Sequence, residues 1–140
     1  MKNIFEITSI VLYFIVGLVC LRMSFKLLSS DKFLPFHEKA AGKPWDALEE
    51  PIRYVIVTLL RISGLGFLVV ALMLLTFPLA NLVFKDSFIT FSLPVISSIF
   101  CVGLFAFNYS LYEKTNTRTP WKGSIIAIII LVVSFILSII

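Results

Sequence analysis

Charge is what this chain has least of. Asp, Glu, Lys and Arg make up 14% of its 140 residues, against roughly 25% in an ordinary soluble domain. The shortage is uneven as well: residues 87–112 carry no charge, and neither do residues 123–140. A water-soluble fold has no way to hide uncharged apolar stretches of that length, whereas a bilayer requires them. The mean hydropathy of +1.04 points the same way.

Cysteine and histidine are scarcer still. The two cysteines, Cys20 and Cys101, both lie in apolar segments and form no C-x-x-C. That excludes a thioredoxin-type redox pair and a zinc knuckle, and leaves two small packing residues. His37 is the only histidine, next to Glu38 but without H-E-x-x-H spacing, so no metal site is expected. A lone histidine without a nucleophile makes no triad. No cofactor is implied. The net charge of +4 is modest and its basic residues flank hydrophobic runs, which argues against a nucleic-acid reader and for contact with anionic lipid. The first hydrophobic run has no small-residue cleavage site around Cys20 and reads as retained.

What is present is four long apolar segments, at about 4–25, 54–82, 88–112 and 120–140, each near the 20 residues that a spanning helix needs. Period-2 alternation is missing, which excludes a membrane barrel. The expected fold is an all-α membrane protein of one domain, 1–140. It is a bundle of four transmembrane helices with an interfacial loop between the first two. Pro94 is expected to open or kink the third span. Thr119-Pro120 marks the start of the fourth, with Thr as cap. Nine basic residues lie in or beside loops 26–53 and 112–122, against Lys2 and Lys85 on the other side, with Arg61 set apart inside a span. The positive-inside rule therefore makes those two loops cytoplasmic and both termini external.

Polar and small residues mark the faces that membrane helices turn toward each other. Glu6, Ser9, Tyr13, Gly17, Cys20 and Ser24 share one face of the first span. Ser97, Cys101, Asn108 and Tyr112 do so on the third, and Ser124, Ala127, Ser134 and Ser138 on the fourth. On the second, Tyr54, Thr58 and Arg61 align. The stripes read as packing seams, since none carries several ionisable groups in register. Arg61 is the costly residue, at roughly 2.5–3.5 kcal/mol near a bilayer centre. Two readings stand level: a structural tie within the bundle, or an anion or headgroup site. Asn108, Tyr109 and Tyr112 are its expected neighbours, and the candidate ligand-binding set joins them to Arg61 and Thr58.

His37, Glu38 and Trp45 complete that candidate set from the long loop. Its aromatic and apolar residues alternate with charges, as in a segment lying on the membrane surface, with Pro44 opening a short helix over 45–50. Trp45 and Trp121 read as interfacial anchors. His37-Glu38-Lys39-Ala40 with Gly42-Lys43 and Trp45, and Asn116-Thr117 with Thr119-Pro120-Trp121-Lys122, resemble small uncharacterised bacterial membrane proteins with four spans, loosely DoxX-like in size and layout. The resemblance implies a bacterial inner-membrane protein and no catalytic residue. The expected function is therefore a non-enzymatic accessory, binding or scaffold subunit in contact with the bilayer, with anionic headgroups, a membrane protein or a second copy as partner. The alternatives are a small transporter or channel subunit, and a membrane enzyme acting on a lipid or quinone through His37 with Glu38 or Glu49.

Overall fold

A computed structural model describes residues 2–140. Met1 and the side chains of Lys2 and Asn3, including the Lys2 ammonium counted above, lie outside that description. The chain is helical, with no strand among the described residues. Four long helices, α1 (Lys2–Leu28), α3 (Glu50–Phe84), α4 (Ser87–Thr115) and α5 (Trp121–Ile139), are each long and apolar enough to cross a membrane. This is the build of a small multi-pass membrane protein. They pack as a ring in which α1 touches α3 and α5, and α4 touches α5 and, less closely, α3. Neighbours run antiparallel, as in an up-and-down bundle.

The closest seam is between α1 and α3. A Cβ at Gly17 would sit 3.0 Å from Leu75 and 3.2 Å from Leu74, and one at Gly64 would sit 2.9 Å from Leu28 and 3.2 Å from Leu27. Two glycines, one per helix, let the backbones approach where apolar side chains have no reason to prefer each other over lipid. These contacts fix the register, with residue numbers across the seam summing to about 92. The centre of the bundle is filled by Tyr13, Val16, Cys20, Ala71, Leu74, Leu93, Cys101 and Leu131. Both cysteines are free and buried there. The inward stripe of α1 is confirmed at Ser9, Tyr13, Cys20 and Ser24, and those of α4 and α5 at Ser97 and Ser134.

Several expectations need correction. Of the two roles expected of Pro94, opening the span falls away: it lies inside α4, which starts at Ser87 with the Asp86 carboxylate accepting from the Phe88 N–H at 2.8 Å. Thr119 does not cap α5; its hydroxyl donates to the Asn108 carbonyl on α4 at 2.7 Å and so ties the two helices together. The long connection holds a helix that its sequence did not announce, α2 (Pro35–Ala41), closed by Gly42 in the left-handed region at φ 64°. The helix expected at 45–50 is a single 3-10 turn, Trp45–Ala47. Finally, Tyr54, Thr58 and Arg61 face outward. The buried face of α3 runs instead through Leu60, Gly64, Ala71, Leu74 and Pro78.

Length explains the last correction. At 35 residues, α3 is about 52 Å long, well over a hydrocarbon core of about 30 Å. Arg61 lies 23 residues before Phe84, about 35 Å from that end. The uncharged part of the helix, residues 62–84, is by itself long enough to span, so the length of α3 does not require Arg61 to lie within the hydrocarbon.

Candidate functional site

The eight candidate residues fall into two groups at the loop end of the bundle. The first is built by residues 29–49, which fold back over the α1–α3 seam. Leu34 is buried against Leu27 and Leu60 and pins the segment there. Around this anchor Phe33 packs edge-on against Trp45, with centroids 5.2 Å apart, and Phe36 lies 4.0 Å from the His37 ring. A Glu38 carboxylate oxygen accepts from the Trp45 backbone N–H at 3.3 Å. His37, Glu38 and Trp45 are thus brought together, with the Glu38 oxygen closing the turn from α2 into the 3-10 segment. Burial lowers the His37 pKa below its usual value near 6.5, because an imidazolium loses hydration among those rings.

Arg61 belongs to this group, and its partner is Asp31. The guanidinium Nη2 donates to Asp31 Oδ1 at 3.1 Å, with the two side chains 54% and 86% exposed. Asp31 lies three residues past the end of α1, where the seam that sets Gly64 against Leu28 leaves it beside Arg61. Thr58, one turn earlier, donates to the Tyr54 carbonyl of its own helix at 2.9 Å, as hydroxyls do where no other partner is in reach.

Asn108, Tyr109 and Tyr112 form the second group, on α4, and the structure gives them partners other than Arg61. Asn108 donates to the Leu104 carbonyl at 2.8 Å. Trp121, at the head of α5, is the hub of an aromatic cluster: its ring centroid lies 5.7 Å from Tyr109, 6.2 Å from Tyr112 and 6.3 Å from Phe105. The Lys122 ammonium stands 5.6 Å from the same Trp121 ring. Edge-to-face rings with a cation over one of them make a stable amphipathic cluster. Compared with protein-family models, with curated proteins and with solved structures, the chain matches none. The chemistry of the site must therefore be read from its own atoms. Among the described residues no three His, Cys, Asp or Glu side chains converge as metal ligands. Neither group sets a nucleophile beside a base.

The opposite end of the bundle holds a feature that the sequence did not single out as a site. A cavity of about 50 Å³ lies among Glu6, Ser9, Tyr13, Asn81, Thr90 and Ser138. Glu6, Ser9, Tyr13 and Ser138 had been visible as inward stripes. Asn81 and Thr90 had not, because they flank a turn and belong to no stripe. The signal that joins them is the length of the turn, which returns α4 beside α3 and brings the Asn81 amide within 3.0 Å of the Thr90 hydroxyl.

Proposed function

We propose that this protein is a non-enzymatic integral protein of a bacterial cytoplasmic membrane, an accessory or binding subunit whose loop end engages anionic lipid headgroups. In this reading both termini are external and loops 26–53 and 112–122 are cytoplasmic. The observation that carries it is the Trp121 rim, where Tyr109, Tyr112 and Phe105 surround an indole that Lys122 overlies. An amphipathic aromatic belt fixes the depth of a helix end. Basic groups held at that depth meet a negative surface, each contributing about 1 kcal/mol of attraction. Residues 29–49 add Lys32, Lys39 and Lys43 with Phe33, Phe36 and Trp45 beside the same surface.

Purification in mild detergent followed by native mass spectrometry tests the reading. Anionic phospholipid should be retained in preference to zwitterionic lipid, and Arg118→Gln with Lys122→Gln should reduce that preference several-fold. Equal retention of both lipid classes would overturn headgroup binding, and a stoichiometric protein partner would then be the occupant to pursue. Orientation is tested separately. In a background lacking Cys20 and Cys101, single cysteines at Lys43 and Asn116 should resist an impermeant thiol reagent in intact cells, while one at Asp86 should react.

A further inference from the structure

The cavity at the N-terminal end goes beyond that reading, because it lies at the other end of the bundle and has a different chemistry. Tyr13 is 4% exposed, and its hydroxyl, which lies toward the Ser138 side chain, meets no partner in full hydrogen-bond geometry. The Oδ1 of Asn81 is likewise buried and unpartnered. Buried polar atoms are rarely left without a partner, and this lining has one such oxygen on α1 and one on α3.

The neighbouring hydrogen bonds fix which atoms are free. The Thr90 hydroxyl spends its one proton on the Asp86 carbonyl at 3.1 Å, so it accepts from the Asn81 amide nitrogen, and the Asn81 oxygen is the atom left over. Ser138 gives its proton to the Phe135 carbonyl, and Ser9 gives its own to the Ser134 carbonyl, each at 2.7 Å. The lining hydroxyls of Ser9, Thr90 and Ser138 therefore turn spare lone pairs, not protons, toward anything inside. Glu6 adds the one carboxylate, and no Lys or Arg lines the cavity among the described residues. What remains is a concave set of hard oxygen acceptors with one negative charge and a volume of about 50 Å³, several times the roughly 10–15 Å³ that one water needs.

We propose that this cavity binds a small monovalent cation, held by the Glu6 carboxylate, the Asn81 carbonyl oxygen and the Tyr13 hydroxyl. Oxygen donors select hard cations. One carboxylate balances one positive charge, and the cluster of carboxylates that a divalent ion uses is missing among the described residues. An alkali ion and ammonium satisfy the same acceptors, and the experiment separates them.

The test is thermal melting of the purified full chain in detergent. Lithium, sodium, potassium and ammonium chlorides are each compared with N-methylglucamine chloride, whose cation is too large for the cavity, at equal concentration. At least one small cation should raise Tm saturably, by about 5 °C at tenfold excess over its Kd. Whether the alkali series or ammonium gives the larger shift identifies the ion class. Glu6→Gln should melt as wild type does in N-methylglucamine and lose the shift. Asn81→Leu should shrink it, which keeps the test decisive if the Gln variant fails to fold. A wild type with no cation-dependent shift, or variants that keep the full shift, would overturn the site and leave a water-filled cavity.

Discussion

The two ends of this bundle use similar residues to opposite effect. At the N-terminal end polar side chains turn inward. Ser9 crosses from α1 to the Ser134 carbonyl of α5, Asn81 crosses from α3 to Thr90 of α4, and a polar cavity is left between them. At the loop end Thr119 and Ser24 stay buried, but the charged and aromatic groups turn outward: the Arg61–Asp31 pair is exposed, and Trp121 packs among tyrosines at the rim. Depth is the cause. Residues 62–84 of α3 are long enough to span the hydrocarbon by themselves, and polar groups placed outside such a span need no partner inside. Those of the N-terminal end sit level with apolar turns, where a hydroxyl or amide must find a protein atom. Leu34 adds to the contrast, since it plugs the loop end of the α1–α3 seam with an apolar side chain.

The largest effect is expected where the ends are joined, along the α1–α3 seam. Gly64→Val should lower stability by about 3 kcal/mol. The glycine already leaves its would-be Cβ 2.9 Å from the Leu28 side chain and 3.1 Å from the Leu28 backbone nitrogen, and backbone cannot step aside. Gly103→Ala on α4 is the control. A Cβ there meets nothing within 4 Å, so the change should stabilise by roughly 0.5–1 kcal/mol through helix propensity alone. Detergent melts of both variants against wild type decide this. Equal losses would mean that the seam is not the tight contact.

Next in size is the inward polar layer. Ser9→Ala removes the hydrogen bond from α1 to the Ser134 carbonyl, and interhelical bonds of this kind average about 0.6 kcal/mol with a maximum near 1.7. Its carbonyl partner is also engaged only here across helices, so a loss of about 1 kcal/mol is expected. Tyr13→Phe sharpens the comparison because it deletes a hydroxyl with no partner. In N-methylglucamine the Phe variant should melt at or above wild type, while in the favoured cation it should melt lower. Destabilisation in both buffers would show the hydroxyl already satisfied within the protein.

Smaller still is the outward pair. Arg61→Leu and Asp31→Asn should each cost no more than about 1 kcal/mol, since both side chains are more than half exposed and such pairs are screened. A loss of several kcal/mol from Arg61→Leu, in melts of the same kind, would put the guanidinium back inside the bundle. Double substitution should match the larger single effect, because one interaction is being removed twice.

The stripe on α1 was legible in the sequence because most of its members, Ser9 to Ser24, lie well inside an apolar run, where the inward rule for polar residues holds. The same rule misplaced Tyr54, Thr58 and Arg61. It counts residues but not depth, and nothing in the spacing says how far a helix of 35 residues projects beyond the bilayer. Asn108 and Tyr109 were placed near Arg61 by depth alone; instead Tyr109 packs on Trp121, while Asn108 bonds the Leu104 carbonyl and accepts from Thr119 at its own carbonyl. The α2 helix was hidden because Pro35 and Pro44 offer equivalent start signals, and only the burial of Leu34 favours the first. The cavity was half legible, as seams on α1 and α5, while its other half depended on which turn faces which across two helices.

The finest comparison concerns titration, and the loop end is where it can be read. His37 is packed against Phe36 and Phe33, with the Glu38 carboxylate next in sequence turned to the Trp45 N–H. Burial lowers its pKa in the folded segment, while an undocked segment titrates near 6.5. Between those two values the undocked form binds more protons. Docking is therefore strongest above about pH 6.5 and weakens as the pH falls through the lowered value, below which both forms are protonated and no further loss occurs. Hydrogen exchange at the α2 amides, the His37 N–H to the Leu34 carbonyl among them, should accelerate over that window after correction for intrinsic rates. Exchange along α3 beyond Gly64 should not. His37→Gln should flatten the α2 response and leave the amides protected at both pH values. A profile unchanged by that substitution would assign the pH dependence to the carboxylates of residues 29–50 and separate His37 from the stability of the loop end.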